Sequence, residues 1–120
     1  MITHLKFASI PTRDQERALR FWTEQVGFQV MTDQPFGAQR WIELSLGDSA
    51  TGIVLFTPEG HEDRIGTAFN GSFACDSVEA THRQMRERGV EFTTPPTKQP
   101  WGEFAIFKDP DGNQFVLSSR

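Results

Sequence analysis

The chain has 120 residues, 37% of them hydrophobic, which is enough to bury the core of one compact domain without staples. With 12 Lys and Arg against 16 Asp and Glu the net charge is −4, so the phosphate-neutralising surface that nucleic-acid binding requires is not signalled and no such partner is expected. The lone Cys75 excludes an internal disulfide and a thiolate zinc centre, and no apolar run approaches the roughly 20 residues of a membrane helix.

The start, Met1-Ile2-Thr3-His4, lacks the charged and apolar regions of a secretory leader, and together with the single cysteine this sets the expectation of a cytoplasmic protein with no membrane partner. Leu5 to Ile10 is β-prone and stops at Pro11, so it reads as a first strand. Thr12 or Asp14 then caps a helix. From Asp14 to Val26 the apolar residues Ala18, Leu19, Trp22 and Val26 recur at helical spacing, and Gly27 stands where a left-handed C-terminal cap belongs. Phe28 to Met31 resumes as a strand, and Pro35-Phe36-Gly37 reads as a turn. In Arg40 to Leu46 the residues Ile42, Leu44 and Leu46 alternate with Trp41, Glu43 and Ser45, the period of a strand with two unlike faces. Ile53 to Phe56 follows as a fourth strand, and Glu59 to Thr67, rich in charge and glycine, reads as a linker.

The order then repeats. Phe69 to Cys75 is a strand, and Asp76-Ser77-Val78-Glu79 has the capping-box pattern that opens a second helix, ending at Gly89. Val90 to Phe92 is the next strand, and Pro95, Pro96 and Pro100 enforce an extended connection. The last stretch, Lys108 to Leu117, is a β-hairpin: Pro110 fixes φ, Gly112 accepts a positive φ, and Phe104 to Phe107 and Phe115 to Leu117 supply the strands. Two copies of strand, helix and three strands result. Their helix segments are nearly equal, Asp14 to Gly27 spanning 13 positions and Ser77 to Gly89 spanning 12.

The closing turn Lys108-Asp109-Pro110-Asp111-Gly112-Asn113-Gln114-Phe115, the segment Asp14 to Trp22 with Gly27-Phe28, and Asp76-Ser77-Val78-Glu79-Ala80 with Gly89-Val90-Glu91-Phe92 resemble the signatures of the vicinal oxygen chelate superfamily. That group holds glyoxalase I, bleomycin-resistance proteins and extradiol dioxygenases. The resemblance covers essentially the whole chain and implies an α+β fold, two βαβββ modules forming a curled, cup-like mixed sheet with the helices outside. It implies a single domain over residues 1–120, with one module at about 1–58, a linker at about 59–68 and a second module at about 69–120. It also implies a homodimer.

In metal-using members of that superfamily about four side chains on the concave face hold a divalent ion. By the spacing of the signatures these positions here are Phe7, Asn70, Leu55 on the fourth strand, and Val116. Phenyl and isopropyl groups offer no lone pairs, and a divalent ion needs several at about 2.0 to 2.5 Å, so no metal and no cofactor is expected there. His4 lies three residues before Phe7 and faces away from it. His61, in His61-Glu62-Asp63-Arg64, belongs to a solvated loop or to a small metal or anion site in that loop, and His82 is assigned to an exposed or flanking helix face.

Strand phase from Phe7 and Asn70 gives a candidate ligand-binding surface of Phe7, Ser9, Trp41, Glu43, Leu55, Asn70, Ser72 and Val116, with Trp101 on its rim and Ile42, Leu44 and Phe73 turned to the helices. An apolar surface with a few polar groups suits a small molecule, and Trp41 suits a planar one. The same residues also suit a packed core or a dimer contact. With 11 Phe, 3 Trp and no Tyr, proton chemistry falls to a carboxylate, a histidine or water. Glu43 is the candidate general base if the surface desolvates it, with Glu103 a weaker candidate acid; pairing of Glu43 with Arg40 or another arginine is the competing reading. Cys75 has the phase of a core residue. The expectation is a small-molecule binder, as bleomycin-resistance proteins are, with a lyase, isomerase or dioxygenase using displaced ligands or Glu43 as the alternative.

Overall fold

The computed structural model describes residues 1–67 and 71–120, so the start of the expected strand Phe69 to Cys75, including Asn70, lies outside the described residues. The chain divides into two compact units, Met1–Ile65 and Gly66–Arg120. Each has the order strand, helix, three strands. In the first, β1 (Phe7–Pro11) and α1 (Gln15–Arg20) precede β2 (Gln29–Phe36), β3 (Gln39–Ser45) and β4 (Gly52–Phe56). In the second, β5 (Ser72–Cys75) and α2 (Val78–Glu87) precede β6 (Glu91–Gln99), β7 (Gly102–Lys108) and β8 (Gln114–Ser119). The sheets are ordered β1-β4-β3-β2 and β5-β8-β7-β6. In both, the first strand pairs parallel with the last and the other pairs are antiparallel. The sequence repeat is thus a repeat of topology.

Asp14 is the cap of α1, its carboxylate accepting the Arg17 N–H at 3.0 Å. The stripe expected of a regular helix fails after Arg20, because Phe21–Val26 is a π-helical segment. Gly27, at φ 108°, and Phe28 both donate their N–H groups to the Trp22 carbonyl, at 3.0 and 2.8 Å. The wider turn buries the adjacent residues Phe21 and Trp22 together, where regular helical spacing selects Trp22 alone. Trp22, fully buried, then meets Phe21 and Phe28 edge-on at 5.2 and 5.5 Å. Gln15 ties this helix to the sheet: its Nε2 donates to the Arg40 and Leu55 carbonyls at 2.7 and 3.0 Å, and its Oε1 accepts the Arg40 N–H at 3.0 Å.

The cap of α2 is Ser77, whose hydroxyl accepts the Ala80 N–H at 3.1 Å, one residue later than the capping-box reading places it. Three residues beyond Ser77 stands Ala80, so no carboxylate closes the box. Both strands that follow a helix are longer than expected. β2 runs through Pro35 and Phe36, moving the turn to Gly37, and β6 runs through Pro95 and Pro96. Both are edge strands, where a missing N–H is tolerated. Both also slip register early, between Val30 and Thr32 and between Phe92 and Thr94.

The core of the first unit lies on the helix side of its sheet and contains Ile10, Ile42, Leu44 and Leu55, each fully buried. In the second unit Phe107 and Phe115 are buried 5.4 Å apart, with Phe73 5.8 Å from Phe115 and Phe92 5.8 Å from Phe107. The closing turn forms as expected, Gly112 donating its N–H to the Asp109 carbonyl at 3.0 Å. No helix among the described residues is long and apolar enough to cross a membrane.

Candidate functional site

Strand pairing decides which side chains share a face. Beside Phe7 lies Gly52, beside Ser9 lies Val54, and beside Val54 lies Glu43, which pairs in turn with Thr32. By alternation Trp41 and Phe56 belong to the same face, so Phe7, Ser9, Trp41 and Glu43 all lie on the side of the first sheet opposite its helix. The Phe7 and Trp41 rings meet edge-on at 5.7 Å and 79°, and Phe36 reaches Trp41 from the turn side at 5.6 Å. Three aromatic rings therefore form one cluster. Val54 is 2% exposed, whereas Phe36 is 59% exposed.

Leu55 does not belong to this face. It pairs with Ile10 and Ile42 and is buried in the core beneath α1. A strand slipped by one residue turns every side chain to the other side, and Ile53, Val54 and Leu55 are all apolar and all buried, so β4 has no polar alternation from which its phase can be read. Val54 and Phe56 take the position expected of Leu55.

Glu43 is half-buried, and the competing pairing with Arg40 does not form. Arg40 stands on the opposite face and forks onto Asp33 at 3.0 and 2.6 Å while reaching Glu16 at 2.9 Å. Those bonds pull the Asp33 carboxyl below its ordinary range and push the Arg40 guanidinium up.

In the second unit Ser72 pairs with Val116, and Val116 with Ile106. Phe104 and Ser118 share their face, the Ser72 and Ser118 hydroxyls lying 3.0 Å apart. Trp101, 65% exposed, sits in the β6–β7 turn and stacks on Phe104 at 5.8 Å and 28°. Glu103 alternates to the other side with Ala105 and Phe107, so it does not share a face with Val116. Cys75 lies half-buried on the core side, its thiol donating to the Ser118 carbonyl at 3.7 Å.

No histidine lies on a sheet face. His4 is exposed ahead of β1, and His61 is exposed in the loop before a short 3-10 turn at Glu62–Arg64. His82 sets its ring edge-on to Phe92 at 4.4 Å, and burial, with Arg86 nearby, pushes its pKa down.

Sequence reasoning passed over one buried polar site. Asp109 is 6% exposed, and its carboxylate accepts the Asp111 and Asn113 N–H groups at 3.0 and 2.9 Å and the Asn113 side-chain amide at 2.9 Å. Asn113 in turn accepts the Gly66 N–H at 2.7 Å. Burial pushes the Asp109 carboxyl up to about 6, against the pull of those donors. The signal was the turn sequence itself, in which an aspartate four residues before an asparagine lets the two side chains close the loop.

Two open four-stranded sheets, each with a helix on one side and an opposite face that mixes apolar and polar side chains, define a protein built from paired βαβββ units. Residues 2–117 match the model of the Glyoxalase/Bleomycin resistance protein/Dioxygenase superfamily, and the chain belongs to that superfamily. It is similar to YetH of Bacillus subtilis (strain 168), 33% identical over 118 residues that make up 98% of each chain. Among solved structures, UcmS2 matches with a TM-score of 0.89 at 33% identity over 98% of each chain. TnmS3, an antibiotic binding protein from Streptomyces sp. CB03234, matches with a TM-score of 0.87 at 36% identity, covering 98% of this chain and 96% of that one.

The superfamily's metal positions do not suit an ion here. Phe7 and Val116 are hydrocarbon side chains, as are Val54 and Phe56, the residues of β4 that share Phe7's face. None offers a lone pair to a divalent cation. Among the described residues no three His, Cys, Asp or Glu side chains are grouped to hold one elsewhere.

Proposed function

We propose that this protein binds a small planar aromatic molecule without a metal, as a single-domain chain acting in the cytoplasm as a homodimer. The candidate residues on the first unit's sheet are Phe7, Ser9, Trp41 and Glu43; Ser72, Trp101 and Val116 are the candidates on the second unit, taken by itself, and Asn70 stays an expectation from the sequence. The observation that carries the reading is the ring cluster of Phe7, Phe36 and Trp41 on a sheet face that bears no helix. Aromatic faces with a few polar groups beside them are what planar ligands stack on. The description of TnmS3 as an antibiotic binding protein supports a small-molecule ligand. Apolar side chains left exposed on the edge strand β2, Val30 at 49% and Met31 at 63%, favour a second copy as their cover.

The test is fluorescence titration with a panel of planar aromatic compounds, antibiotics included. Trp22 is fully buried, so quenching by a surface-bound ring reports Trp41 and Trp101. Saturable quenching that weakens in Trp41→Ala supports the proposal, and a panel that leaves the emission unchanged overturns it. Light scattering on the eluted protein reads the dimer directly.

A further inference from the structure

We infer that the ligand of the first sheet's open face is an aromatic cation, its ring taken by the Trp41 cluster and its positive charge by Glu43; this rests on the ring-binding reading above. The strand residues that share this face are Phe7, Ser9 and Pro11 on β1, Gly52, Val54 and Phe56 on β4, Gln39, Trp41, Glu43 and Ser45 on β3, and Thr32, Gln34 and Phe36 on β2. Glu43 is the only charged side chain among them. It is half-buried and, among the described residues, its carboxylate has neither a hydrogen bond nor an ion pair.

The sheet's other charges are handled differently. Asp33, on the helix side of the sheet, and Glu16 of α1 are both paired with Arg40. Glu43 lies between Thr32 and Val54 with Trp41 two residues away, and a half-buried carboxylate that no basic side chain pairs with among the described residues is open to a cation brought by the ligand. Trp41 stands two residues along the same strand, about 7 Å away by strand rise, the span of a ring with an attached or fused ammonium. An indole face attracts the same charge through its quadrupole. A neutral ring of equal size gains the stacking alone.

The experiment is calorimetric titration of the full chain at physiological salt with two tricyclic probes, proflavine, a planar cation, and acridone, a neutral ring of similar size. The expected result is proflavine bound about tenfold tighter than acridone, a preference equivalent to about 1.4 kcal/mol. Glu43→Gln abolishes that preference, and Trp41→Ala weakens both probes. Glu59→Gln, the same change of charge at an exposed loop position, keeps the preference and so separates Glu43 from the general pull of an acidic protein. Equal affinity for the two probes, or a preference that survives Glu43→Gln, overturns the cation inference and leaves ring binding standing. If neither probe binds, the ring-binding reading falls and this inference with it.

Discussion

Phe7 and Trp41 touch edge to face, 5.7 Å between ring centroids, although β4 runs between their strands. They close over Val54, which the pairing places between Ser9 and Glu43 and which is 2% exposed. Trp41→Ala therefore uncovers Val54 and removes one edge-to-face pair, for an expected loss of about 1 kcal/mol in stability. Its effect on ligand is a loss of at least about fivefold in affinity where a ring stacks on Trp41, as aromatic stacking of about 1–3 kcal/mol implies. Denaturant unfolding and ligand titration of the same preparation separate the two.

Leu55→Ala reverses that pattern. The side chain is fully buried between Ile10 and Ile42, and its truncation opens a core cavity costing about 2–5 kcal/mol. Affinity of the folded fraction is expected to stay within about twofold of wild type, as for sites with no shared partner. A large loss of affinity at unchanged stability would place Leu55 on the binding face after all.

Asp109 makes stability depend on pH. Its folded pKa, about 6, is above the ordinary value of 3.8, so the unfolded chain releases this proton first as pH rises. The folded state is favoured below 3.8, and that advantage is lost as pH climbs to about 6. Asp109→Asn removes this titration, so the stability difference between wild type and variant shrinks from pH 4 to pH 6 in thermal melts. At every pH the variant also turns an amide toward the Asn113 amide 2.9 Å away, donor against donor, for a loss of about 1–3 kcal/mol. A difference that widens with pH over that window would show that the hydrogen bonds outweigh burial.

A binder leaves its ligand unchanged, so mass analysis of ligand recovered after long incubation is expected to show the input compound only. Product formation that falls by about 10²-fold or more in Glu43→Gln would instead make Glu43 a general base.

Chelation is the complementary check. With hydrocarbon side chains at Phe7, Val54, Phe56 and Val116, excess EDTA is expected to leave ligand affinity unchanged. Lost affinity, restored by one divalent ion, would point to ligands outside these strands.

The order of elements, the two helix caps to within a residue, the closing turn and the duplication were all legible in the chain, because turns and helix ends are written in local residues such as Gly27, Ser77 and Asp109 to Gly112. Trp41 and Glu43 were legible as a pair because they interleave with the aliphatic residues Ile42 and Leu44, which mark the opposite face of β3. The rest required tertiary structure. β4 offers three buried apolar residues in a row, so only its pairing with Ser9 and Glu43 shows that Val54, and not Leu55, looks out from the sheet. The π-turn that buries Phe21 beside Trp22, and the fork that draws Arg40 to Asp33 and Glu16 and leaves Glu43 alone, were likewise decided by packing. Local sequence sets what a segment prefers, whereas the face a side chain meets is set by the strand hydrogen-bonded to it, and one residue of register is enough to reverse that face.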